Sequence, residues 1–277
     1  MAGWAFETPE NSFVIMRKYP VAWFYILAFS ISWLGMISIV LASRGIAPFY
    51  RPYFLGLSIF YAIGPALAAV IVSQVAHGKT GIRGLLKGLI RWRVGPVWYI
   101  VAVLGPAVLF LAAQLITKLL GFSVTIAVPP VELSPYVIFG SMVNLFANTC
   151  EEIGWRGFAL PHLQKRHNAL LATLIVGMLW GLWHLPLVFL AGSMSEYPFL
   201  WFITIIADAF IYTWIYNSTK GSILLVALFH GSGNIFGAFI TGVSPVAYAL
   251  LNCVVAIILI AVFGIVNLSR REKVCAG

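Results

Sequence analysis

The sequence predicts an all-α protein, a polytopic transmembrane helical bundle of about eight spans. Of the 277 residues, 61% are hydrophobic and only 9% are charged, whereas a soluble domain carries about 25% charged residues. Apolar runs of about 20 residues, the length that crosses a hydrocarbon core, recur along the whole chain. The shorter alternating runs of an outer-membrane barrel are not found in the sequence. Helices are therefore the spanning elements.

We predict one membrane domain, residues 1–277, because no long linker separates the apolar runs. The ends of the spans are defined to within a few residues. The eight predicted spans are 20–43, 53–76, 97–120, 135–160, 169–191, 199–217, 222–241 and 245–268.

The Lys and Arg residues between the spans predict the orientation, since short cytoplasmic connections are enriched in both. With a cytoplasmic N-terminus, the inner basic residues are Arg17, Lys18, Lys79, Arg83, Lys87, Arg91, Arg93, Lys165, Arg166, Lys220, Arg270, Arg271 and Lys273. The outer side then carries only Arg44, Arg51 and Lys118. We expect a multi-pass cell-membrane protein with both termini in the cytoplasm. This bias accounts for the net charge of +9 without a nucleic-acid partner.

The inner connection 81–96, GIRGLLKGLIRWRVGP, predicts a basic amphipathic helix. Arg83, Lys87 and Arg91 recur every four residues, and leucines fill another face. Such a helix is expected to lie at the cytoplasmic headgroups.

Ionisable side chains inside spans are costly, and they persist where they face the bundle interior or water. The predicted spans contain the ionisable residues Glu151, Glu152, His184, Asp208 and His230, and Asn234 lies one turn after His230. Counted from the predicted cytoplasmic span ends, Glu151, both histidines and Asn234 lie roughly 12–22 Å deep. A shared depth on three helices predicts one site, in a water-filled cavity that opens toward the cytoplasmic half of the membrane.

The two adjacent glutamates differ in helical phase. Glu152 and Arg156 are four residues apart, so they share a helix face and can neutralise each other. Glu151 points about 100° away and has no cation nearby in the sequence. An unpaired carboxylate in an apolar pocket suits a general base or acid.

The histidines and Asn234 complete the predicted site. In HGSGN, His230 and Asn234 project from one face, where they could polarise a carbonyl and hold the oxyanion formed on attack. The two glycines between them allow another helix to approach closely. His184 precedes Pro186, whose ring favours a kink that opens a cavity.

These residues resemble the motifs of the CAAX protease and bacteriocin-processing family of intramembrane proteases, whose best-known branch is the Ras-converting CAAX endopeptidase. The family motifs Glu-Glu-x-x-x-Arg, Phe-x-x-x-His and His-x-x-x-Asn match Glu151, Glu152 and Arg156, then Trp180 and His184, then His230 and Asn234. Trp180 stands where the motif usually has Phe. The resemblance covers roughly residues 80–241, and the predicted catalytic core is 135–241.

The resemblance implies an intramembrane endopeptidase in which Glu151 and His184 activate a water. It further implies that His230 and Asn234 stabilise the oxyanion, while Glu152 and Arg156 give structural support. The substrate would be a membrane-associated protein or peptide, with or without a lipid anchor. No cofactor is expected, although Glu151, His184 and His230 could alternatively bind one zinc ion. No HExxH is present, and the metal-free mechanism uses the same residues.

Two other functions remain open from the residues alone. A bacteriocin-immunity protein or membrane scaffold could keep these motifs without cleaving a peptide. A proton-coupled transporter also places Glu, Asp and His inside spans. It would be favoured by inverted repeats and paired broken helices, which the sequence does not show.

Overall fold

A computed structural model describes residues 9–51, 56–122 and 134–277. Within these ranges every regular element is a helix, which confirms the all-α class. In chain order the helices are α1 (Pro9–Lys18), α2 (Pro20–Ser43), α3 (Ile59–Leu86), α4 (Pro96–Leu119), α5 (Pro135–Glu152), α6 (Leu160–Gln164), α7 (Ala169–Trp183), α8 (Ser193–Glu196), α9 (Pro198–Ser218), α10 (Ile223–Phe239) and α11 (Pro245–Asn267).

The membrane-spanning helices agree closely with the predicted spans. In the described ranges, 6 helical stretches are long and apolar enough to cross a membrane, and they contain α2, α3, α4, α7, α9 and α11. Two more helices stand at predicted spans: α10 is apolar but has only 17 residues, and α5 carries two asparagines and two glutamates. Positions 53–55 of the second predicted span lie outside the described residues. The protein is a polytopic, multi-pass membrane protein.

Proline fixes where five of these helices begin. Pro20, Pro96, Pro135, Pro198 and Pro245 all occupy the first turn of their helices. The N–H groups in the first turn of a helix have no acceptor within the helix, so proline, which lacks an N–H, costs no hydrogen bond there. The fixed φ of proline is also close to the helical value.

The outer surface of the bundle is apolar, as a lipid-facing surface requires. Val108 on α4, Phe139 on α5 and Ile257 on α11 are 63%, 69% and 64% exposed. A soluble protein rarely leaves such side chains contiguous and uncovered. Lipid contact explains their exposure.

The predicted amphipathic helix at 81–96 is only partly correct. The α3 helix continues to Leu86 across a break at Gly78, where φ is 58° and ψ is −148°. Residues 87–90 form a turn, and residues 91–95 contain no helix before Pro96 begins α4. Only residues 81–86 of the predicted helix are helical, and Pro96 begins the next helix.

The site lies where α5 meets α3 and α10. A π-helical segment, Ile153–Ala159, follows α5 and was not predicted from the sequence. A Cβ on Gly154 would lie 2.6 Å from the Pro65 side chain, so glycine permits α3 to approach this segment. Helix α10 packs against α4 and α5, and α9 packs against α7 and α11. The end of α5 is thereby enclosed.

Candidate active site

Glu152 and Arg156 form a fully buried ion pair. The Nη1 atom of Arg156 lies 2.9 Å from Oε1 and 3.0 Å from Oε2 of Glu152. Both side chains have no solvent exposure. The contact is the one predicted from their i,i+4 spacing, although Arg156 itself lies in the π-helical segment.

Two neighbouring aromatic rings contact the Arg156 guanidinium. Its Cζ atom lies 4.5 Å from the ring centre of Trp180 and 4.4 Å from that of Tyr212. The Nε and Nη2 atoms have no hydrogen-bond partner within the described ranges. The π faces of the two rings therefore take the place of the missing polar partners.

Glu151 contacts the tryptophan that replaces the usual motif phenylalanine. The indole Nε1 of Trp180 donates a hydrogen bond of 2.8 Å to Oε2 of Glu151. The Glu151 side chain is buried, with 4% of the residue exposed. This donor orients the carboxylate, and a phenylalanine at the same position could not supply it.

His184 lies at the point where its helix ends. The α-helical part of the predicted span 169–191 stops at Trp183, and a 3-10 turn, Leu185–Phe189, follows with Pro186 near its start. The His184 Nδ1 atom lies 2.9 Å from the Trp180 carbonyl oxygen. A carbonyl can only accept, so Nδ1 carries the proton and Nε2 of the neutral ring is free to accept.

His230 contacts the buried ion pair directly. Its Nδ1 atom lies 2.9 Å from Oε1 of Glu152. The sequence predicted separate roles for His230 and Glu152, but it did not predict this contact. A Cβ on Gly231 would lie 3.0 Å from the Leu145 side chain, which agrees with the predicted close approach of another helix beside His230.

Asn234 belongs to a cluster of three asparagines. Its Nδ2 donates to Oδ1 of Asn144 at 3.2 Å and to Oδ1 of Asn148 at 3.1 Å. Asn148 also donates to Asn144 at 3.0 Å, and Asn144 donates to the Gly231 carbonyl at 3.2 Å. Neither Asn144 nor Asn148 was predicted from the sequence as part of the site. The sequence signal for this cluster was a pair of amide side chains four residues apart in an apolar span, the second of them one turn before Glu152.

One cavity of about 730 Å³ joins the predicted catalytic residues. Glu151, His184, His230 and Asn234 all line it, whereas Glu152 and Arg156 do not. The four side chains therefore share a single cavity, as predicted, and the ion pair lies behind its wall.

The cavity extends toward the end of the bundle opposite the one predicted. Its lining includes Met194 and Tyr197 from one connection and Gly242 and Val243 from another. Both connections were placed on the outer side by the distribution of Lys and Arg. With the orientation predicted from Lys and Arg, the cavity extends toward the outer half, which differs from the predicted opening toward the cytoplasmic half. His184, the first residue after α7, lines the cavity together with Met194 and Tyr197.

The alternative zinc site is not preformed among the described residues. Across residues 9–51, 56–122 and 134–277, no three His, Cys, Asp or Glu side chains are grouped so that they could hold a metal ion. Glu151 accepts a hydrogen bond from Trp180, and Nδ1 of His230 contacts Glu152.

Comparison with known proteins agrees with the motifs. Residues 132–236 match the family model described as Type II CAAX prenyl endopeptidase Rce1-like. A curated relative, the CAAX prenyl protease 2 of Methanococcus maripaludis, is 37% identical over 94 residues. This match covers 31% of the present chain and 35% of the relative, so it spans about a third of the relative's length. The segment that the family model matches contains all three motifs, so over these residues the chain is similar to the CAAX protease family.

Proposed function

We propose that this protein is an intramembrane endopeptidase that cleaves a membrane-associated protein or peptide with an activated water. The observation that carries the proposal is the single cavity lined by Glu151, His184, His230 and Asn234. A cavity of this size, with a few converging polar groups, is the usual form of a substrate site.

Two acceptors are available to activate the water. Glu151 offers a carboxylate that the Trp180 indole orients. His184 offers Nε2, because its Nδ1 proton is donated to the Trp180 carbonyl. A water between them can donate one hydrogen to each, and the carboxylate then takes the proton as the oxygen attacks the peptide carbonyl.

The opposite wall supplies donors for the oxyanion that forms. His230 already gives its Nδ1 proton to Glu152, so it must carry a second proton on Nε2 to donate. The Glu152 carboxylate, which also pairs with Arg156, contacts this ring at Nδ1 and favours its charged form. Asn234 gives both of its amide hydrogens to Asn144 and Asn148, and it must release one of them to the oxyanion.

Cleavage by the purified full-length protein in liposomes tests this function. The substrates are a prenylated peptide with a C-terminal CAAX sequence and an unprenylated peptide held by an acyl chain, with products identified by mass spectrometry. We expect at least one to be cleaved by the wild type and neither by Glu151→Gln. The exposed Glu196→Gln variant is the control for loss of one acidic charge and should stay active. No cleavage of either peptide, or cleavage by Glu151→Gln at the wild-type rate, would instead favour a non-enzymatic immunity or scaffold role.

A further inference from the structure

Asp208 is an acidic side chain in the wall of the cavity that the proposed mechanism does not use. It lies on α9, one helical turn from Thr204 and one from Tyr212, and all three line the cavity. No hydrogen bond or ion pair to its carboxylate is found within the described ranges. The charged groups whose fields act on it are His230 and Arg156, and both already contact Glu152.

An acid without a partner is costly at this depth. A carboxylate within a span stays where it faces water or a binding partner that compensates its charge. Neither neighbouring group contacts the Asp208 carboxylate directly, because the Arg156 guanidinium is held by Glu152, Trp180 and Tyr212, and His230 contacts Glu152. A cationic group that enters the cavity would supply the direct contact that Asp208 lacks.

The remaining walls also favour a cation. Glu151 and Asp208 contribute carboxylates, while no Lys or Arg is found among the described residues that line the cavity. Tyr197, Trp201 and Tyr248 add aromatic rings to the lining, and aromatic faces attract ammonium and guanidinium groups. Apart from the two histidines that the proposed mechanism uses, an acidic substrate side chain would meet no basic group among these described residues.

We propose that Asp208 binds a positively charged side chain of the substrate, so that the substrate class is a peptide with Lys or Arg close to the cleaved bond. This inference rests on the proposed endopeptidase function, because it assigns the substrate of the same cavity. Asp208 is then a specificity-determining residue that contacts the substrate, while Glu151 and His184 act on the water.

Binding of uncleaved peptides tests the inference separately from catalysis. The Glu151→Gln protein in liposomes is titrated with fluorescent acyl-anchored peptides in which one Lys, Gln or Glu is moved through successive positions. We expect one position at which Lys binds about tenfold tighter than Gln, the effect of a hydrogen bond between charged groups. Adding Asp208→Asn should abolish this preference, and adding Asp208→Glu should retain most of it. The matched control Glu196→Gln, which removes an exposed acid outside the cavity lining, should leave the preference unchanged.

Each result decides the inference. Equal binding of Lys and Gln peptides at every position would overturn it, as would a Lys preference that survives Asp208→Asn. If Asp208→Asn fails to fold, the ratio of the affinities for the Lys and Gln peptides still decides the inference. It is then measured in the parent protein and in Asp208→Glu, which keeps the negative charge. A clear Lys preference in a protein whose wild type cleaves nothing would contradict the endopeptidase function but leave the charge selectivity standing.

Discussion

The indole nitrogen of Trp180 lies 2.8 Å from the Glu151 carboxylate, and the carbonyl oxygen of the same residue lies 2.9 Å from His184 Nδ1. One residue therefore positions both groups that are proposed to activate the water. The tryptophan at this motif position provides a hydrogen bond as well as the ring of the usual phenylalanine. The ring also covers one face of the Arg156 guanidinium.

The first prediction concerns this hydrogen bond. Trp180→Phe keeps an aromatic ring and the backbone carbonyl but removes the N–H donor. We expect kcat to fall about tenfold or more with little change in KM, since a hydrogen bond to a charged group is worth roughly 1.5–3 kcal/mol. Steady-state cleavage kinetics measure the effect.

Trp214→Phe is the matched control for this exchange. The buried Trp214 indole nitrogen has no hydrogen-bond partner in the described part of the chain, so the same substitution removes no such contact. Equal losses of kcat in the two variants would show that ring size, and not the donor to Glu151, explains the result.

The second prediction separates the two glutamates by stability. Glu152→Gln leaves the fully buried Arg156 without its countercharge, and removing one partner of such a pair costs about 3–5 kcal/mol. Glu151→Gln keeps an acceptor for the Trp180 indole and should leave the unfolding temperature nearly unchanged. Thermal unfolding in detergent compares them.

A double variant checks the cause of this loss. Adding Arg156→Met to Glu152→Gln removes the unpaired charge, so most of the lost stability should return. If Glu151→Gln and Glu152→Gln unfolded at the same temperature, the assignment of Glu152 to structural support would be wrong.

The third prediction concerns orientation. Single cysteines at Lys79 and Glu196, in a protein whose three native cysteines are replaced, should react with an impermeant reagent from opposite sides of the membrane. We expect Lys79 to be cytoplasmic, following the basic connections. Glu196, in the connection that also supplies Met194 and Tyr197 to the cavity lining, should be reached from outside. Labelling of both cysteines from one side would contradict the span assignment. If the cysteine at Lys79 reacted only from outside and the one at Glu196 only from the cytoplasm, the cavity mouth would face the cytoplasm.

The fourth prediction concerns metals. Because the described His, Cys, Asp and Glu side chains form no group that could hold a metal ion, we expect cleavage to continue after extended dialysis against a zinc chelator. Metal analysis of the dialysed protein verifies that zinc has been removed. Loss of cleavage that stoichiometric zinc restores would show that Glu151, His184 and His230 move together as ligands.

Local features of the fold could be predicted from the sequence. The spans follow from apolar length alone, and α2, predicted at 20–43, is found at Pro20–Ser43. The Glu152–Arg156 pair follows from a spacing of four residues on one helix. Both depend on interactions within a single segment, which sequence periodicity records.

Contacts between segments could not be predicted in the same way. The hydrogen bond from Trp180 to Glu151 and the contact between His230 and Glu152 join residues 29 and 78 positions apart. No periodic pattern encodes such pairs, because they depend on how helices pack. The π-helical segment after Glu152 and the end of α7 at Trp183 likewise depend on tertiary packing.

The central claim is that Glu151 and His184 act together on one water, and a kinetic double-mutant cycle tests it most directly. Single-turnover cleavage rates are measured for wild type, Glu151→Gln, His184→Ala and the double variant, each with its folding verified by thermal unfolding. Groups that act as one unit are strongly non-additive, so the double variant should be no slower than the slower single variant. Losses that multiply in the double variant would show that the two residues act in separate steps, which contradicts a shared water.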